Sequence, residues 1–254
     1  MMAGFIRYSA IALLVVTNFA QASVELRIMG PGGDRRVSLP DGSRLADALL
    51  LPDVQAPGYN PCGSISTPAL DDQLQTAKQA LLARLDTLYY QLVADSQSEM
   101  AMAVKQLKQQ LDKQLQHGAI RVSLDPDRLR IRQAENLLLS GEYRLYLPSC
   151  KPELMLLGAV HSPGPQPLVA GQRLADYLKH DVLQPWADAS WAWYLDGRHE
   201  AKQIGTDYWN SKHREAAAGA VLFVGFDEDV LPDGYGDINQ AIVTALQQGM
   251  GTQP

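Results

Sequence analysis

An α+β fold is predicted for this chain by three features of its sequence. A strand–turn–strand–helix pattern occurs twice, near Val24 and near Leu154. A long block of 3.6-residue periodicity separates the two copies, and an amphipathic segment closes the chain. A hairpin followed by a short helix is the opening of a β-grasp, or ubiquitin-like, unit. The expected architecture is therefore two β-grasp domains, with an antiparallel helical hairpin inserted in the first and an amphipathic helix at the end. The ranges are 1–22 for an export signal and 23–150 for the first domain, with its hairpin at about 69–117. The second domain takes 151–232, and the helix and tail take 233–254.

Each element follows from local pattern. Arg7, the apolar run from Tyr8 to Phe19 and Ala20-Gln21-Ala22 form the three regions of a cleavable signal, cut after Ala22. The run is too short, and its exit too polar, to span a membrane; the competing reading is a buried N-terminal helix. A periplasmic protein is expected. Val24, Leu26 and Ile28 alternate with Glu25 and Arg27 as in a half-buried strand, Gly30-Pro31-Gly32-Gly33-Asp34 turns the chain, and Arg35 to Leu39 returns. That glycine cluster leads into a strand, so no helix N-terminus is available to hold a phosphate. Asp41-Gly42-Ser43 caps a short helix with Leu45, Ala48 and Leu49 on one face. Pro52 to Pro68 reads as loop.

From Ala69 the period becomes helical. One stripe runs through Leu74, Leu81, Leu85, Leu88 and Leu92, and a second through Val104, Leu107, Leu111 and Leu115. Asp95 to Ser98 breaks them and His117-Gly118 ends the second helix, giving an antiparallel pair. The flanking strands are the expected packing partner of these stripes. Strand periodicity then returns at Ala119–Leu124, Leu129–Arg132 and Tyr143–Leu147, around an Asp125-Pro126-Asp127 turn.

The second copy has a strand at Leu154–Val160, a turn at Ser162–Pro165, a return at Pro167–Val169 and a helix marked by Leu174, Tyr177 and Leu178. Trp191–Leu195 and the segment through Ile204 form a hairpin about Asp196-Gly197, and Val221–Phe226 is the last buried strand. In the tail, Ile238, Ala241, Ile242, Ala245 and Leu246 share one helical face. The other face lacks Lys and Arg, which favours packing on the domain over a membrane surface.

The search for chemistry begins with exclusions. The chain has 254 residues, with 22 Lys+Arg against 28 Asp+Glu, so no basic excess supports nucleic-acid binding. Two cysteines are too few for a disulfide scaffold or a zinc cluster. His117, His161, His180, His199 and His213 lack metal-ligand spacing, no nucleophile elbow or phosphate loop is present, and no metal or cofactor is expected. Asp71-Asp72 and Asp227-Glu228-Asp229 are acidic groups, but Asp71 and Asp72 sit where a helix dipole favours carboxylates. In an oxidising compartment Cys62 and Cys150 read as a bridge; two unpaired thiols are the alternative, although no His flanks either to activate it.

Two concentrations of residues remain. All four tryptophans lie within Trp186–Trp209, and Trp191 and Trp193 share a strand face that reads either as core or as a sugar-stacking platform. The arginines are Arg121, Arg128, Arg130, Arg132 and Arg144. As strand residues, Arg128, Arg130 and Arg132 share a face suited to binding anionic sugars or phosphates, or to plain solvation.

The block Leu156-Leu157-Gly158-Ala159-Val160, followed by Pro163-Gly164, Gly171 and Asp176-Tyr177-Leu178, resembles the SLBB-type β-grasp domains of polysaccharide export proteins. Tyr208-Trp209-Asn210-Ser211-Lys212-His213, Leu222–Phe226, Val230-Leu231-Pro232, Leu124–Asp127 and Gly141–Tyr146 together are similar to the GfcC/YjbG family of capsule and exopolysaccharide biosynthesis proteins. The resemblance implies a periplasmic protein of capsule or exopolysaccharide assembly and export, without an established catalytic activity. The implied partners are polysaccharide or outer-membrane polysaccharide export proteins. It also implies an arginine after the glycine that ends the hairpin, lying in a cleft. Here Ala119 follows Gly118, and Arg121 is the nearest arginine. The expected ligand-binding residues are therefore Arg121, Arg128, Arg130, Trp191 and Trp209, with Cys62 and Cys150 as the disulfide. The alternative is a polysaccharide-modifying or -cleaving enzyme that uses the cleft beside the hairpin.

Overall fold

The structure is a computed structural model that describes residues 23–52, 54, 60–179, 181–206 and 213–249. The export signal, Trp209 and the end of the tail lie outside the described residues. Among the described residues, two mixed sheets and five α-helices make up the fold.

The first sheet contains β1 (Ser23–Gly30), β2 (Gly33–Pro40), β3 (Ser64–Ser66) and β4 (Glu142–Tyr146) in the order β2-β1-β4-β3. Val24, Leu26 and Ile28 are buried on one side of β1, as the two-residue period requires. β1 runs antiparallel to β2 and parallel to β4, pairing Leu26 with Tyr143 and Ile28 with Leu145. The helix α1 (Leu45–Leu49) buries Leu45, Ala46, Ala48 and Leu49 in this sheet's core. Its cap falls at Arg44, whose backbone N–H donates to Asp47 Oδ2 at 3.0 Å. Ser43 does not serve, because its hydroxyl donates to the Pro40 carbonyl at 2.7 Å.

The hairpin of α2 (Pro68–Ala94) and α3 (Ser98–Gln114) is inserted between β3 and β4. Thr67 caps α2 through Leu70 N–H, with Pro68 in the first turn where its missing donor costs nothing. The leucine stripes do not pack on the flanking strands. Leu85, Leu88, Leu107 and Leu111 join one continuous core with the second sheet and the tail helix, while the first sheet keeps a separate core with α1.

Two expected strands are corrected. Pro126–Ile131 is the helix α4, because Asp125 Oδ1 accepts from Asp127 N–H at 3.0 Å and Arg128 N–H at 3.3 Å. Asp-Pro-Asp is thus an N-cap with proline behind it, and not a β-turn. Residues 119–124 form no ladder, since β4 already has β1 and β3 on its two edges. They meet β3 through one backbone bond, Ile120 N–H to Ile65 carbonyl at 2.8 Å.

The second sheet contains β5 (Glu153–Gly158), β6 (Gly164–Pro167), β7 (Trp191–Leu195), β8 (Ala201–Gly205) and β9 (Val221–Val224), in the order β6-β5-β9-β7-β8. β5 and β9 are parallel, the other neighbours antiparallel. All four residues of β9 are buried, so this sheet needs cover on both faces, which accounts for the apolar surface it recruits from elsewhere. Leu174–Leu178 forms a single 3-10 turn where a helix is expected.

The tail helix α5 (Ile238–Gln248) buries Ile238, Ile242, Val243 and Leu246. Asn239 fixes it to the end of β9, accepting from Phe226 N–H at 2.9 Å and donating to Phe226 carbonyl at 2.7 Å. Arg84 of α2 holds its start by donating to Asp237 Oδ2 at 2.8 Å and to the Gly234 carbonyl at 2.9 Å. Among the described residues no helix is long and apolar enough to cross a membrane.

Candidate functional site

A buried polar node forms where α2 begins and α3 ends. Asp71 is only 7% exposed, and its carboxylate accepts four hydrogen bonds. Oδ1 takes Ser66 Oγ at 2.7 Å and Gly118 N–H at 2.8 Å; Oδ2 takes Arg144 Nη1 at 2.6 Å and Tyr146 Oη at 3.2 Å. Helical spacing explains why a carboxylate is there. Asp71 is three residues before Leu74, on the buried stripe of α2, and faces β4 across the end of the hairpin.

This environment sets the protonation states. Burial, and then the Asp71 charge, push the Tyr146 phenol up to about 12, so it stays a donor. Burial opposes the charge on Arg144, but the Asp71 carboxylate outweighs it and the guanidinium pKa is raised. The His117 ring stacks on Tyr146 with centroids 3.6 Å apart and planes 4° from parallel. Burial lowers the pKa of His117 despite the nearby Gly118 carbonyl and Asp71.

Ser64 connects this node to a groove of about 300 Å³ between the loops that join the two sheets. Ser64 Oγ lies 3.4 Å from His117 Nδ1 and also lines the groove, with Gln114, Lys151, Glu153 and His199. His199 is pushed down to about 4 by burial, with His117 and Arg121 adding to the effect, so its imidazole is neutral above mildly acidic pH. The floor includes Cys62, which is bonded to Cys150 with their Cα atoms 5.4 Å apart. The bridge closes an 88-residue separation that contains β3, the hairpin, α4 and β4. Replacing both cysteines by serine is expected to cost about 2–5 kcal/mol, seen as a lower urea midpoint with a steeper slope, since the uncrosslinked chain exposes more surface on unfolding.

The arrangement is suited to hydrogen-bonding a polar ligand more than to covalent chemistry. His117 Nδ1 divides its reach between Ser64 Oγ and the Gly118 carbonyl, both at 3.4 Å. Asp71 is occupied by other donors, so no third group orients the imidazole as a nucleophile's base requires.

The sequence-selected residues scatter. Arg121 is exposed and close enough to His199 to act on its charge. Arg128 is paired with Glu135 at 2.8 and 3.1 Å, and this guanidinium is the main reason Glu135 is drawn down to about 2. Arg130 is exposed on α4; two helical steps place it about 200° around the helix from Arg128, so the shared strand face does not exist. Trp191 is 39% exposed at the far end of β7, about 13 Å along the strand from Leu195 and the turn that reaches the groove. Trp193, on the same face, packs half-buried against the core. Asp71, His117, His199 and Tyr146 were not selected from sequence. One readable signal exists: Asp71 and Lys78 interrupt an otherwise leucine stripe, and both are buried.

Comparison with known proteins agrees with this two-part construction. The family described as capsule biosynthesis GfcC, N-terminal, matches residues 20–149, and its C-terminal counterpart matches residues 162–251. YjbG of Escherichia coli (strain K12), itself described as uncharacterized, is 29% identical over 247 residues, covering 96% of this chain and 98% of YjbG. Both family halves occur in order over most of its length, and the chain therefore belongs to the GfcC family of capsule-biosynthesis proteins.

Proposed function

We propose that this protein is a periplasmic, non-enzymatic factor of capsule or exopolysaccharide assembly or export, built from two β-grasp domains, which binds polysaccharide in the groove between them. The strand orders support the domain reading: in each sheet the first strand pairs antiparallel with the second and parallel with the last. The groove carries the functional reading. Its walls join neutral polar groups, Ser64, Gln114 and His199, to the Lys151 charge, and Arg121, outside that lining, is near enough to act on the charge of His199. Such a surface can hydrogen-bond sugar hydroxyls and pair with an acidic substituent. The 3.4 Å approach of Ser64 to His117 favours a second reading, an enzyme modifying or cleaving the polymer in the same cleft.

One experiment separates them. Purified protein is mixed with exopolysaccharide from the producing cell, and binding and polymer length are followed together. Binding with unchanged length is expected, weakened about tenfold or more in Arg121→Ala by loss of a charge-assisted contact. Shortened chains would establish the enzyme, and an Arg121→Ala protein that binds normally would remove Arg121 from the site. Absence of glycan binding would leave a role confined to contacts with export proteins.

A further inference from the structure

Each helix of the hairpin carries a second stripe, one residue after its buried one. On α2 it is Gln79, Leu82, Asp86 and Tyr89; on α3 it is Lys105, Lys108 and Asp112. One residue is a rotation of about 100°, and in an antiparallel pair that step brings both stripes to the same side of the seam. They wall a second groove, of about 670 Å³. Among the described residues its lining shares none with the groove between the sheets. From Gln79 to Tyr90 it follows about 16 Å of helix axis.

Two tyrosines and a set of cross-helix charges give this groove its chemistry. Tyr89 is half-buried against the main core, and Tyr90 meets its ring edge-on, with centroids 5.2 Å apart and planes at 72°. Tyr90 itself is 69% exposed, so the ring is braced by its neighbour while most of its surface stays open. Lys108 Nζ spans the seam to the Asp86 carboxylate at 2.6 and 2.7 Å, and Lys78 Nζ reaches Asp112 Oδ1 at 2.8 Å. We infer that the hairpin groove is a second glycan-binding site, which seats a run of uncharged sugar units with one ring stacked on Tyr90. It lies outside the groove of the proposed function, and rests on that reading only for which polymer supplies the sugars.

Charge selects the occupant. Among the described lining residues, Asp86 and Asp112 balance Lys105 and Lys108, so the local field favours neither a polyanion nor a polycation. An ionic ligand would have to break a cross-helix pair to form its own. An apolar helix would bury those charges and replace none of their water. Sugar hydroxyls do neither, because they can donate to a carboxylate and accept from an ammonium that stay paired with each other. Gln79 and Gln109 add amide donors and acceptors to the same walls. The apolar C–H face of a sugar ring then matches the open face of Tyr90, whose bracing by Tyr89 lowers the ordering cost. Val93 and Met102, exposed toward the hairpin tip, lie outside the lining, so the groove is not part of a larger apolar patch.

The test is an NMR titration of the whole protein with exopolysaccharide from the producing cell, sheared to short chains. Saturable shifts are expected at the amides of residues 79–90 and 105–112. Tyr90→Ala should weaken that response about tenfold through loss of the stacked ring. Tyr90→Leu keeps apolar area without a flat face and should weaken it equally, whereas Tyr90→Trp should restore it. The site is overturned if those amides stay still with polymer in excess, or if Tyr90→Leu responds as the wild type does. Shifts confined to Ser64, Gln114 and Lys151 would overturn it and leave the groove between the sheets in place. Shifts confined to the hairpin and unchanged in Arg121→Ala would do the reverse, and no shift anywhere would remove both. The wild-type map decides the matter by itself should a Tyr90 variant fail to fold.

Discussion

Asp71→Ala is expected to lower folding stability by about 3–5 kcal/mol, because it removes the acceptor that three buried donors and the half-buried Arg144 share. Arg144 would be left as a half-buried guanidinium whose buried Nε already lacks a partner, and Ser66, Tyr146 and the Gly118 N–H would lose their acceptor too. The cost is mainly that of stranded groups, which gives the prediction a second arm. Adding Arg144→Met to Asp71→Ala should recover at least about 1 kcal/mol, since the unpaired charge disappears with its partner. Urea unfolding of the two single variants and the double variant measures both effects. A loss below about 1 kcal/mol in Asp71→Ala would mean the node does not hold the hairpin to the first sheet.

Gly158→Ala should be at least as damaging, at about 4 kcal/mol or more. Gly158 ends β5 at φ 101° and pairs with Val224 across the parallel ladder that centres the second sheet. A Cβ there would overlap the Val224 carbonyl oxygen, lie 2.9 Å from its carbon and 3.0 Å from Phe223 Cε2. The obstacle is backbone and a fully buried ring, neither of which has room to move. Gly171→Ala separates this clash from simple backbone strain. Gly171 also has a positive φ, 77°, but nothing lies within 4 Å of its Cβ position, and about 1 kcal/mol is expected. Equal losses in the two variants, measured by the same urea titration, would show that strain alone sets the cost.

The two halves of the fold differ in how they reach stability. The first sheet closes a compact core with α1, whereas the second sheet draws in α5 and the inserted hairpin, so residues that are part of the first half in sequence complete the core of the second. The disulfide and the Asp71 node both lie at this crossing, as does the groove. Loss of either tie is therefore expected to affect the groove as well as stability.

Alternation at Val24–Ile28, the leucine stripes of the hairpin, the Asp196-Gly197 turn and the amphipathic tail were all legible in the sequence, because each is set by side chains within one or two turns of chain. Tertiary structure decided what local pattern leaves open. Asp125-Pro126 reads equally as a turn or as a helix cap; the absence of a free strand edge beside β4 leaves the chain before it as coil, and the Asp125 cap bonds start the helix after it. Asp71, His117, Tyr146 and His199 gain their character from partners 47 to 75 residues away or from burial by elements of the other sheet. Period is a property of neighbours along the chain; desolvation and hydrogen-bond partnership belong to whatever the fold brings together.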